Sequence, residues 1–262
     1  MTITPQLFIK IFKQLLKFLP LPMPSAYLLV SHGSRDPRPE IAMQQLAGLM
    51  RDKLRNSNNQ EPLLDVGYLE LSPEPLHEQI KKFGEQALAA GCDRINILPI
   101  FLLPGVHVMK DIPDEIALAQ QALGQDMKIE LKPYLGSNPN LQTLLAQQIA
   151  EKKTAAWILL AHGSRRPNSL EPVEAMAQNL AAITAYWAVP PSLESRVKEL
   201  IAVSKWEIAI LPYFLFAGGI TDAIAQSIET LKLQFPLVNF HMAQPLGAST
   251  KLAELIGDLI DR

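Results

Sequence analysis

Three side chains in the first half of the chain have the types needed for metal chemistry. They are His32 in "LLVSHGSRDPR", Glu70 in "LLDVGYLEL" and His107 in "LPIFLLPGVHVMKDIP". Two imidazoles and one carboxylate are a common ligand set for a divalent first-row metal, and they leave coordination positions open. Neutral imidazole is also a good base at physiological pH. No short motif links the three. What they share is position, since each follows an apolar run that reads as a strand. Gly33 and Ser34 offer a tight turn and backbone N–H groups near a helix start, a suitable cradle for an anion. Gly105 lies in the turn before His107. Arg35 and Arg38, on the loop after His32, can pair with substrate carboxylates in bidentate fashion. The other features read more plainly. His77 is a surface residue of a helix, His241 a half-buried strand residue, and Trp157, Trp187 and Trp206 packing residues.

The elements that must position these residues alternate. "AYLLVSH" is a short continuous apolar run, which suits a buried strand. "EIAMQQLAGLMRDKL" has helical spacing. "PLLDVGYLEL" is a strand and "PLHEQIKKFGEQALAAG" a helix stopped by Gly91. "RINILPIFLL", "PDEIALAQQALGQ", "KIELKPYLG" and "NLQTLLAQQIAEKK" continue as strand, helix, strand and helix. This order argues for a parallel sheet covered on both faces, with ligands beyond the carboxyl ends of its strands.

The second half repeats the plan. HGSR recurs at His32 and His162, "LPIFLL" is answered by "LPYFLF", and "YLGSNPNL" by "PLGASTKL". Here "AAWILLAHGS" reads as a strand, and "EPVEAMAQNLAAITAYW" as one helix. "LESRVKELIAV" follows as a helix, then "EIAILPYFLF" strand, "TDAIAQSIETLKLQ" helix, "LVNFHMAQPLG" strand and "TKLAELIGDLID" helix. No clear counterpart of the "LLDVGYLEL" strand is visible. The expected organisation is an extension over 1–24, one α/β domain over 25–152 and a similar, shorter one over 153–262, with a cleft between them.

A length of 262 residues suits two domains of about 100–130 residues each. Hydrophobic content of 48% supports a sizeable core. A net charge of −2 gives no electrostatic reason to expect a nucleic-acid partner. The single cysteine, Cys92, excludes an intrachain disulfide and any multi-cysteine metal site. It reads as a packing residue, and such scarcity fits a reducing compartment, the cytoplasm. The leader "QLFIKIFKQLLKFLPLPMP" is too short and too lysine-rich to span a membrane. It reads as an extension before the first domain, or as a basic amphipathic helix that Pro20, Pro22 and Pro24 end.

"VSHGSRDPR", "GYLELSPEPL" and "LPIFLLPGVHVMKDIP" together resemble the signature stretches of the sirohydrochlorin chelatase family of the CbiX and SirB type, in its long two-copy form. The resemblance runs from about residue 26 to 262 and leaves the leader outside. It implies ATP-independent insertion of Fe²⁺ or Co²⁺ into sirohydrochlorin, with His32, Glu70 and His107 as metal-binding residues and no prosthetic group. Iron insertion, giving sirohaem, is the leading expectation. Cobalt insertion for corrinoid synthesis and a non-catalytic tetrapyrrole or metal carrier are the alternatives. A phosphate-handling histidine enzyme fits less well, because it would not call for the G-x-H element. The second half departs from the pattern. It keeps His162 but has Ile220 in the place of His107 and no acid near "AYWAVPP". The chemistry is therefore expected in the first copy, with the second as a wall or lid. With both halves in one chain, the expected state is a monomer.

Overall fold

A computed structural model describes residues 25–58, 61–150 and 156–260. The leader and its expected helix lie outside the described residues. The first half contains β1 (Ser25–Ser31), α1 (Pro37–Asn58), β2 (Leu64–Tyr68), α2 (Leu76–Ala89), β3 (Arg94–Pro99), a π-helical turn (His107–Asp111) running into α3 (Ile112–Leu123), β4 (Lys128–Leu131) and α4 (Asn140–Ala150). The second contains β5 (Ala156–Ala161), α5 (Glu171–Asn179), β6 (Ile183–Tyr186), α6 (Leu193–Ala202), β7 (Glu207–Pro212), α7 (Gly219–Gln234), β8 (Asn239–Met242) and α8 (Thr250–Ile260).

Each half forms a parallel four-stranded sheet, in the order β2-β1-β3-β4 and β6-β5-β7-β8. The connections leave β1 to one side and then return to the other. That reversal puts the usual ligand crevice of open α/β sheets beyond the ends of β1 and β3.

Strand alternation sorts side chains between two cores. Leu28 and Val30 point to a core of the first half alone, with Leu76, Ile80 and Phe83 of α2. Tyr27 and Leu29 point the other way, into a core shared with the second half. β5 repeats this, with Ile158 and Leu160 in the second half's own core and Trp157 and Leu159 in the shared one. In α1, Met43, Leu46, Ala47 and Met50 follow the spacing of one helix face and pack into the shared core. α8, from the second half, lies against α1 and β3 of the first. In the other direction, Asn179 of α5 donates to Gln142 of α4 at 3.0 Å.

The structure corrects three expectations. The helix expected over 171–187 ends at Asn179, and Ile183–Tyr186 is the strand thought to be missing. Ala181 takes a φ of 52° and reverses the chain before it. "AAITA" reads as helical because alanine favours helices, but Ile183 to Tyr186 pair with Ile158 to Ala161, and that pairing prevails. His77 is not a plain surface residue: its backbone N–H and Nδ1 both lie on Glu115 Oε2, at 2.7 and 2.9 Å, joining α2 to α3. Of the three tryptophans only Trp157 is buried, while Trp187 and Trp206 are 40% and 45% exposed.

Candidate metal centre

The ends of β1, β2 and β3 bring His32, Glu70 and His107 together, each offering a ligand atom within 4.8 Å of the others. His32 Nε2 lies 3.7 Å from Glu70 Oε2, and His107 Nε2 lies 4.0 Å from Glu70 Oε1. The two rings stand edge to face with centroids 4.9 Å apart. All three side chains are a third to a half exposed, so an ion can reach them from solvent.

Hydrogen bonds orient the rings. His107 Nδ1 is 2.8 Å from Asp111 Oδ2, and His32 Nδ1 is 3.2 Å from the Gly33 carbonyl. Both partners only accept. Each ring, when neutral, therefore carries its proton on Nδ1 and turns the Nε2 lone pair toward Glu70. A carboxylate behind a ligating histidine is the usual device for fixing its tautomer and direction. Asp111 stands four residues after His107, the spacing that brings two side chains together on one helix face, and the segment between them is a π-helical turn, a form that often occurs at functional sites.

Backbone contacts hold Glu70 in place. Its N–H donates to the His32 carbonyl at 2.8 Å. Gly33, with a φ of 95°, passes so close to this strand end that a Cβ there would stand 1.9 Å from the Glu70 carbonyl oxygen. Gly33 thus serves the approach of the two loops, and Ser34 Oγ accepts from the Asp36 N–H at 3.0 Å in the turn that starts α1. Both still line the cavity beside the metal-ligand cluster.

That cavity, of about 420 Å³, lies between the halves, with His32, His107, Phe101, His162, Tyr213 and Phe216 among its walls. Gly105 lines it and also a second cavity of about 490 Å³, and His162 borders both. Tyr213 is 5% exposed, its burial raises its pKa, and its hydroxyl points to the Leu102 carbonyl at 3.4 Å.

The two arginines expected to hold carboxylates part company. Arg35 is exposed on the loop. The Arg38 guanidinium is already engaged, donating to both oxygens of Asp36 and both of Asp222, the latter at 3.0 and 2.6 Å. It fastens the β1–α1 loop to the start of α7, and so one half to the other. Its hydrogen bonds, and behind them its charge, hold the Asp36 carboxyl down at about 2 and lower that of Asp222.

In the second half, strand register identifies the counterparts. Ser31 pairs with Tyr68 as Ala161 pairs with Tyr186. The Ala188 N–H donates to the His162 carbonyl at 2.8 Å, just as Glu70 does to His32. Ala188 therefore occupies the Glu70 position, and Ile220 that of His107.

Comparison with known proteins bears on what this arrangement is. The CbiX family model matches residues 26–152 and again 156–262. The chain belongs to the CbiX family. Among its relatives, a sirohydrochlorin ferrochelatase from Priestia megaterium is 28% identical over 247 residues, covering 88% of this chain and 87% of that protein. A sirohydrochlorin cobaltochelatase from the same organism is 23% identical, covering 87% and 76%. In structure, SirB from Bacillus subtilis with Fe³⁺ superposes with a TM-score of 0.73 at 22% identity, over 91% of this chain and 95% of that one, and shares the fold. Two residues of this CbiX site escaped the sequence reading. Asp111 carries a visible signal, an acid four residues after a histidine in "HVMKD". Asp222 carries none, because its partner Arg38 lies 184 residues away.

Proposed function

We propose that the chain inserts a divalent metal ion into sirohydrochlorin without ATP, with residues 25–152 as the acting copy and 153–262 as the facing wall. The observation that carries this reading is the convergence of His32, Glu70 and His107 at the edge of the apolar cavity between the halves. Insertion exchanges one M²⁺ for two pyrrole N–H protons, so the site must hold a cation and accept protons in turn. Both tasks suit the Nε2 lone pairs of His32 and His107. As the ion leaves for the ring, these nitrogens become free to take the protons, and Glu70, within 4.0 Å of each, balances charge and passes protons to solvent. Gly33, Ser34 and Gly105 line the macrocycle's space, and Arg35 is available to a carboxylate at its edge.

Iron is the favoured metal, on the greater identity to the ferrochelatase than to the cobaltochelatase at similar coverage of this chain. The proposed state is a monomer, because the shared core already joins the two halves. The proposed setting is the cytoplasm, where a lone thiol such as Cys92 stays reduced. Among the described residues no helix is long and apolar enough to cross a membrane.

The test is anaerobic absorbance spectroscopy of sirohydrochlorin with Fe²⁺ and, separately, Co²⁺, with catalytic protein and no ATP. Wild type should give many turnovers, His107→Ala none, and His162→Ala substantial activity. The faster metal identifies the preferred substrate. A spectral shift without turnover in wild type would mean a carrier and end the enzymatic reading.

A further inference from the structure

The cleft has two mouths, and the sequence treats them in opposite ways. At one mouth the β1–α1 loop of the first half meets the start of α7. Asp36, Arg38 and Asp222 close it with ion pairs, and the Asp36 carboxylate and Pro39 ring lie about Gly218. At the other mouth the matching β5–α5 loop of the second half faces the turn before α3, across the second cavity. Aligned on HGSR, Arg166 stands where Asp36 stands, and Asn168 where Arg38 stands. Met109, two residues past His107, stands where Asp222 stands, two past Ile220. An acid–base–acid clasp has become a single cation beside an exposed thioether.

Arg166 lines that cavity, and its guanidinium has no ion pair or hydrogen bond among the described residues. The walls facing it are apolar, with Val106 36% and Met109 68% exposed, and Leu170 beside them. The space runs on through Leu103, Gly105 and His162 to the cavity beside the metal-ligand cluster. An apolar slot with one free guanidinium at its rim suits a flat ring that carries acidic side chains. A guanidinium binds a carboxylate with two parallel hydrogen bonds and so fixes direction as well as position.

We infer that Arg166 is a substrate-positioning residue at the open mouth, holding one peripheral carboxylate of the tetrapyrrole as the ring reaches from the cavity beside His32 and His107 onto Val106, Met109 and Leu170. This rests on the proposed function for its ligand and goes beyond it by assigning the second half a binding task.

Fluorescence titration of metal-free sirohydrochlorin, at low and at moderate salt, tests this on wild type, Arg166→Gln, Arg166→Lys and Arg165→Gln. Arg165 is exposed and lines neither cavity, so its variant makes the same charge change one residue away. Arg166→Gln should weaken binding about tenfold, the scale of a lost charged hydrogen bond, and flatten its salt dependence. It should raise KM for the macrocycle while leaving kcat and the KM for metal in place. Arg166→Lys should recover part of the affinity, and Arg165→Gln should match wild type. Unchanged binding in Arg166→Gln, or equal losses in both glutamine variants, would overturn the inference. A wild type that binds but never metallates would instead overturn the function and leave this binding test intact.

Discussion

The ends of β1, β2 and β3 present His32, Glu70 and His107, while the same three ends in the second half present His162, Ala188 and Ile220. The backbone that sets them is retained. The same strand-end hydrogen bond, 2.8 Å in both halves, ties the second strand to the carbonyl of the first histidine. Even His162 keeps its ring bonded through Nδ1 to the next carbonyl, at 2.9 Å, as His32 does at 3.2 Å. What differs is the side chains, and one turn. Val108 and Ile112 are buried four residues apart where Thr221 and Ile224 are buried three apart. The π-helical turn supplies the extra residue, and the second half has neither that turn nor a counterpart of Asp111. A fold can thus keep the frame of a site without its set of ligand side chains, and chemistry must be read from side chains rather than from scaffold.

Matched changes in the two halves sharpen this contrast. The largest effect is expected at the paired glycines. Gly33→Ala drives a methyl group into the Glu70 carbonyl and should abolish both Co²⁺ binding by titration calorimetry and turnover. Gly163→Ala meets Tyr186 and Val189 instead, so it should lower thermal stability yet leave metallation per folded molecule in place. Equal loss of turnover in the two would show that the second frame still contributes to the reaction. Next comes Asp111→Ala, which removes the group that orients His107. Metal affinity should fall roughly 10–100-fold, the usual cost of losing a carboxylate behind a ligating histidine, with the circular dichroism spectrum unchanged. Wild-type affinity would make Asp111 a bystander.

The smallest effect is expected at the clasp, whose charges are solvent-exposed and screened by salt. The Asp36 carboxyl lies at about 2 in the fold, below its ordinary 3.8, and that of Asp222 is lowered too. Groups depressed in this way stabilise the fold fully above the ordinary carboxylate value, and the contribution fades as pH falls through the folded one. Arg38→Gln should therefore show a lower urea midpoint than wild type at neutral pH, and the gap should close between pH 3.8 and about 2. A gap that ignores pH would mean that Arg38 acts through packing alone.

Much of this was legible in the sequence, for physical reasons that can be named. Continuous apolar runs such as "AYLLV" mark strands buried on both faces, and the repeated HGSR together with the G-x-H of the first half marks the rim where ligands gather. β6 was hidden because Ala181, Ala182 and Ala185 give its neighbourhood a helical look, and only the register beside β5 decides otherwise. The use of Arg38 was hidden for a related reason. Bidentate pairing was foreseen, but its carboxylates belong to this chain, and one of them is supplied from the far half. Strand order, which makes neighbours of three residues spread over "SHG", "LEL" and "GVH", is a property of the tertiary fold and leaves no local trace.

The helix α8, from the end of the chain, packs on α1 near its beginning, so the two copies are fused into a single body. An assembly of two identical half-length chains would be bound by two-fold symmetry, and every residue at one mouth would be repeated at the other. Fusion lifts that bond. Each mouth can then change without the other, and a molecule built from two nearly equal parts acquires a front and a back.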